Sequence, residues 1–184
     1  MLKQLSDRLC RFERFLAGLG AVLITALIVF NVITRSMNQA VFWVDEMAIF
    51  VMVWMVFLSM AVLLKERQAV AVTVIVDLLP QPLRRVVGVL IDIVVLVFAV
   101  LLVVFSWQWY GPLDLVNANF DLAAFSARTM NFMYQDRANT LPLQKFWVWL
   151  IVPWFALSVG FHTIVNLLED LRGHHMDKPS GATS

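Results

Sequence analysis

Four long apolar runs, at 15–33, 47–64, 86–107 and 146–168, fill most of this 184-residue chain and decide the solvent in which it can fold. The shortest holds 18 residues. At a rise of about 1.5 Å per residue, each run reaches roughly 27 Å or more, against a hydrocarbon core of about 30 Å. Inside the runs only Asp92 and His162 are ionisable. A backbone in lipid must satisfy its own hydrogen bonds, which leaves the helix as the conformation for each run. The expected fold is an all-α integral membrane protein with four transmembrane helices.

Composition agrees. The chain is 61% hydrophobic and 15% charged, against about 45–50% and 25% for soluble domains. A soluble protein of this size has no way to hide four such runs and still present a polar surface. The formal charge of +1, with no basic stretch beyond the juxtamembrane kind, gives no reason to expect a nucleic-acid partner. Cys10 is the single cysteine, so no internal disulfide forms and no Cys/His cluster marks a metal. The basic leader before the first run resembles a signal peptide, but 19 apolar-dominated residues followed by Arg35 fit a retained helix better than a cleavable core of about 7–15 residues.

Charges orient the spans. Lys3, Arg8, Arg11, Arg14, Lys65, Arg67, Arg84, Arg85, Arg172 and Lys178 fall on one side, and Arg35, Arg128, Arg137 and Lys145 on the other. The excess of ten over four places both termini on the cytoplasmic side. Tryptophan prefers the interface, and Trp43, Trp107, Trp109, Trp147 and Trp149 all fall on the outer side of that topology. A single membrane domain over 1–172 is expected, with a disordered cytoplasmic tail at 173–184 rich in small and polar residues.

Two connections look like more than tethers. Residues 69–79 are apolar apart from Thr73 and Asp77 but too short to span. They read as a short interfacial helix on the cytoplasmic side, ended before Pro80 and Pro82. The periplasmic connection 110–145 runs to 36 residues, a length that implies structure or function of its own. Its apolar patch at 120–134 reads either as a helix resting on lipid headgroups or as a docking surface for an outside partner.

Few residues here carry chemistry. Asp92 lies about six residues into the third run, and a carboxylate at that depth is costly. It reads as a helix-facing group paired with a hydroxyl or with a basic residue such as Arg84, Arg85 or Lys65, or else as a titrating group on a proton path. Ser158, His162 and Asn166 share one helical face, a strip that suits interhelical hydrogen bonding. Pro153 implies a kink in the same helix. Arg35, Asp45 and Glu46 sit at the outer edge of the first two runs, and the 13-residue connection between those runs brings Arg35 within reach of a carboxylate. No nucleophile with a base, phosphate-cradling loop or metal spacing is present, so neither an enzyme nor a cofactor is expected. A haem anchor needs two deep histidines, and only His162 qualifies.

From Arg35 to Pro80 the residues form an ordered series. Arg35 is followed by Phe42-Trp43-Val44-Asp45-Glu46, then Val53-Trp54-Met55-Val56-Phe57-Leu58-Ser59. Lys65-Glu66-Arg67 comes next, and then the apolar run to Asp77-Leu78-Leu79-Pro80. This resembles the small membrane subunit, the DctQ-like family, of tripartite ATP-independent periplasmic (TRAP) transporters. In that family an arginine closes the first helix, Trp-x-x-Glu opens the second, and Trp-x-x-Phe-Leu-Gly lies in its core. Trp43 and Glu46 match the entry, and Trp54, Phe57 and Leu58 match the core, with Ser59 in the place of glycine. A histidine frequent after the basic exit is replaced by Ala69 or Val70.

The resemblance implies a scaffold subunit of a sodium-coupled, binding-protein-dependent secondary transporter that imports an organic acid. It places the chain in a bacterial inner membrane, and its partners would be a large membrane subunit, a periplasmic substrate-binding protein and the surrounding lipids, with the patch at 120–134 meeting one of the two proteins. The structural and interaction candidates are Arg35, Trp43, Asp45, Glu46, Trp54, Asp92 and His162. The competing readings are an autonomous ion- or proton-coupled transporter using Asp92, and the membrane anchor of a redox enzyme.

Overall fold

The structure, a computed structural model, describes residues 1–67 and 80–171. Four of its helices are long and apolar enough to cross a membrane. In chain order the elements are α1 (Leu2–Ser36), α2 (Trp43–Glu66), α3 (Gln81–Tyr110), α4 (Pro112–Asn117), α5 (Leu122–Thr129), α6 (Phe146–Trp149) and α7 (Ile151–Leu171). No strand occurs among the described residues, and Arg137 and Gln144 form an isolated bridge. The expected interfacial helix at 69–79 and the tail at 173–184 lie outside the described residues.

The helices overrun the apolar stretches that predict them. The basic leader is not a separate tether, because α1 continues through it for 35 residues, roughly 52 Å. Its excess length beyond the hydrocarbon forms a basal extension. Ser6, Cys10, Glu13 and Ala17 recur along that extension at helical spacing, and all are buried. Arg35 lies in the last turn of α1, and Asp45 and Glu46 in the first turn of α2. Each charge suits the helix dipole at its own end. Pro80 caps α3, and Pro82 falls in the first turn, where a missing N–H is tolerated.

The fourth span, Phe146–Asp170, is interrupted where Pro153 leads the sequence to expect a kink. It breaks at Leu150, between α6 and α7, three residues before Pro153. Proline supplies no N–H to the carbonyl four residues back and crowds it, so the helix resets there.

Of these elements, α7 is the centre. Half of its most apolar stretch is buried inside the chain, against 6% in α1, 17% in α2 and 11% in α3. It packs on α1, α2 and α3, while α1 packs chiefly on α2. One core cluster joins Ala61, Ala99, Phe155 and Val159, and a second joins Ala17, Leu58 and Ile151. Alanines recur where backbones come close, the pattern by which membrane helices associate when lipid is as apolar as leucine. At the α1–α2 crossing a Cβ on Gly20 would lie 3.1 Å from Met55 Cβ, so glycine there permits the approach. The outer faces of α1, α2 and α3 remain apolar and exposed.

Candidate functional site

Polar side chains gather at the two ends of the four-helix body. At the basal end, which carries the N-terminus, the buried seam of α1 faces α7. Glu13 is fully buried and accepts from Ser158 Oγ at 2.5 Å. Its other oxygen lies 3.1 Å from His162 Nε2, and His162 Nδ1 lies 2.7 Å from Ser6 Oγ. An ionised Glu13 requires the imidazole proton on Nε2, and a neutral ring then accepts from Ser6 through Nδ1. Four side chains from two helices thus satisfy one another where water is excluded.

Next to this seam Lys65 and Asn166 join α2 to α7 reciprocally. Lys65 Nζ donates to Asn166 Oδ1 at 3.1 Å, and Asn166 Nδ2 donates to the Lys65 carbonyl at 3.2 Å. The face Ser158–His162–Asn166 therefore meets α1 through its first two members and α2 through its third. Lys65 also faces Asp7 at 3.6 Å, Lys3 pairs with Glu169 at 2.9 Å, and Arg14 pairs with Glu66.

Asp92 is 5% exposed on α3 and pairs with Arg67, a basic residue at the same end as Arg84, Arg85 and Lys65, as its depth in the span led us to expect. The same guanidinium reaches Asp170 Oδ2 of α7 at 2.5 Å. Arg67 caps α2 in the left-handed region, at φ 53°. A non-glycine residue there is uncommon, and in Arg67 it coincides with a side chain that ties α2 to α3 and α7 at once. Removing one partner from such a buried group costs more than the pair contributes over an apolar replacement.

At the opposite, tryptophan-rich end the ties are more exposed. Arg35 Nη2 donates to Asp45 Oδ2 at 2.6 Å, as the short connection suggests, and Asn31 donates to the same carboxylate. Glu46 turns instead to the long connection, accepting from Asn139 N, Thr140 N and Thr140 Oγ1 at 2.6–2.7 Å. Trp54 Nε1 donates at 2.9 Å to the Val148 carbonyl beside the helix break. Trp43 is 41% exposed at the start of α2. Tyr110 Oη donates to the Phe146 carbonyl at 3.1 Å, joining α3 to α6.

The expected site residues thus fall into separate groups. Arg35 and Asp45 meet each other, Glu46 and Trp54 fasten the second half of the chain, and Asp92 and His162 belong to different basal clusters. Sequence reasoning missed Glu13, Arg67 and Asp170. A signal existed for Glu13, because Ser6, Cys10, Glu13 and Ala17 follow the spacing of one helical face. Arg67 and Asp170 had none, since each lies at a helix end where charge is ordinary.

Such a body is a multi-pass membrane protein in which Glu13, Lys65, Asp92, His162 and Asp170 fasten its own helices. Comparison with known proteins places it more closely. The chain belongs to the family described as tripartite ATP-independent periplasmic transporters, DctQ component, which matches residues 24–173. That family comprises transporter subunits and not enzymes. The matched region begins after Ser6 and Glu13. Over 170 residues, 88% of this chain, it is 26% identical to the isethionate TRAP transporter permease protein DctMQ of Oleidesulfovibrio alaskensis, covering 23% of that protein. Over 157 residues, 80% of this chain, it is 29% identical to the C4-dicarboxylate TRAP transporter small permease protein DctQ of Vibrio cholerae, covering 64% of it. The chain therefore spans less than two thirds of either relative. No solved structure gives a significant match.

Proposed function

We propose that this chain is the static scaffold subunit of a sodium-coupled, binding-protein-dependent secondary transporter that imports an organic acid. In this reading a large membrane subunit carries the substrate and sodium sites, and a periplasmic protein captures and delivers the substrate. Both termini face the cytoplasm of the inner membrane, and one domain spans 1–172.

The observation that carries the reading is the mutual engagement of the buried ionisable groups. Glu13, Lys65, Asp92, His162 and Asp170 are each held by another side chain of this chain. A carrier needs polar groups that can exchange partners with a hydrophilic substrate, whereas these hold helices together. The exposed apolar faces of α1, α2 and α3 suit lipid and a second membrane subunit. Both relatives are named for small organic anions, and the chain matches 23% of the one named DctMQ, in keeping with a small part of a larger permease. Charge and tryptophan placement support the orientation, since Trp43, Trp107, Trp109 and Trp147 are all exposed at one end.

The alternatives gain no such support. Asp92 as a titrating carrier group would have to leave Arg67. His162 as a haem ligand would have to leave Ser6 or Glu13. Reconstitution tests the proposal. The chain alone in liposomes is expected to take up no organic acid under a sodium gradient, while the chain with large subunit and binding protein does. Sodium-dependent uptake by the chain alone, abolished by Asp92→Asn without loss of expression, would overturn it in favour of an autonomous carrier.

A further inference from the structure

The seam between the basal extension of α1 and α7 holds more titratable chemistry than a helix contact requires. Glu13 and His162 are 0% and 1% exposed, and Ser6 and Ser158 beside them are 0% and 5% exposed. A contact between neutral side chains would join the helices without the penalty of a buried charge. What sets this group apart is that one arrangement of its atoms serves two protonation states.

With one proton on the ring, Nε2 donates to Glu13 Oε2 and Ser6 Oγ donates to Nδ1. With two, Nδ1 becomes a donor and Ser6 Oγ its acceptor across the same 2.7 Å. The serine proton then turns to the carbonyl four residues back, that of Leu2 in α1, an ordinary acceptor for a helical hydroxyl. Ser158 donates to Glu13 in both states. The ring therefore takes up a proton with no bond lost and no side chain displaced.

Charge balance separates the two states. The groups around the seam come from every helix packed on it. Asp7 of α1 faces Lys65 of α2 at 3.6 Å, Lys3 of α1 pairs with Glu169 of α7, and Arg14 of α1 pairs with Glu66 of α2. Lys65 also donates to Asn166 of α7, and one turn further Arg67 of α2 joins Asp170 to Asp92 of α3. Arg84 of α3 is engaged as well, and Cys10 of α1 is buried as a free thiol. Among the described residues no lysine or arginine pairs with Glu13, whose one basic partner is His162. A neutral ring leaves a lone carboxylate charge out of water, whereas an imidazolium completes an ion pair there.

We infer that Ser6, Glu13 and His162 form a proton-operated clamp. Uptake of a proton at His162 Nδ1 fastens the basal extension of α1 to α7, and its release loosens that extension. A proton held by the closed seam and not by the separated helices adds stability in acid that is lost as pH rises. The clamp rests on the proposed orientation only for which compartment's pH it reads.

Nitrogen-15 NMR of labelled histidine tests it in the full chain, in bilayers of phosphatidylethanolamine and phosphatidylglycerol. His174→Gln and His175→Gln remove the other two imidazoles, so the spectrum reports His162 alone. The range from about pH 5 to about pH 9 brackets imidazole titration. Both ring nitrogens are expected to carry protons at its acid end, and Nδ1 alone to lose its proton at the alkaline end. One protonated nitrogen at every pH would overturn the inference, as would two at every pH or loss of the Nε2 proton first. Thermal melting reads the clamp itself. His162→Gln can still donate to Glu13 and accept from Ser6 but takes up no proton. The native chain should melt above this variant in acid, and the gap should fall by at least half across the same range. A gap that holds or widens as pH rises would overturn the clamp even where the ring titrates.

Discussion

Replacing Glu13 with alanine is the most direct way to ask whether buried polar ties hold the bundle together. The substitution removes two interactions from a fully buried carboxylate, to Ser158 Oγ and His162 Nε2, and leaves both partners in a dry seam. Interhelical hydrogen bonds measured in membranes average about 0.6 kcal/mol and reach about 1.7. Two of them therefore bracket the loss between about 1.2 and 3.4 kcal/mol. Cys10 reads the effect without an added probe, because it lies in the same seam one turn away and is 5% exposed. A thiol reacts there only when the seam opens, so its labelling rate follows the open population. At tenfold per 1.4 kcal/mol, maleimide labelling of Cys10 in native membranes should speed up about 7-fold to 270-fold in Glu13→Ala. Glu13→Gln retains an acceptor for Ser158 and should fall in between. An unchanged rate in Glu13→Ala, with full labelling after denaturation in both proteins, would refute the reasoning.

Arg67→Met removes the cation shared by Asp92 and Asp170 and should lower thermal stability in detergent by about 3–5 kcal/mol. Adding Asp92→Asn should recover part of that loss, and additive losses would show that the two residues are not coupled. Trp54→Phe keeps an aromatic ring but deletes the bond to the Val148 carbonyl and part of the packing, so a loss of at least about 0.5–1.5 kcal/mol is expected, read as a lower melting temperature. Glu46→Ala frees the segment around Asn139 and Thr140, and limited proteolysis from the tryptophan-rich side should cut there faster than in the native chain. Arg35→Ala should change stability little, within about 1 kcal/mol, because its pair with Asp45 is half exposed.

Legibility from sequence differed between the helices and their contacts. The four spans were readable because length and apolarity alone select helices in lipid, and the Arg35–Asp45 pair because a short connection limits where either can go. Trp54 stood out by its place in an ordered series of residues, yet its acceptor is a backbone carbonyl 94 positions away that no side-chain pattern encodes. The break at Leu150 and the basal extension of α1 were displaced from expectation for separate reasons. Proline acts on the turn before itself, and an apolarity pattern stops reporting a helix once the chain leaves the hydrocarbon.

By itself, then, the sequence determined the solvent, the number of spans, the class of subunit and the candidates for a polar role. Only the tertiary structure decided which helix is central and which polar groups meet. His162 finds Glu13 across 149 positions, and Arg67 finds Asp170 across 103. Helical periodicity tells which residues share a face but not what that face touches. In a membrane this gap is wider than in water, because lipid and protein core are equally apolar and hydrophobicity does not distinguish the buried side of a helix from the exposed one.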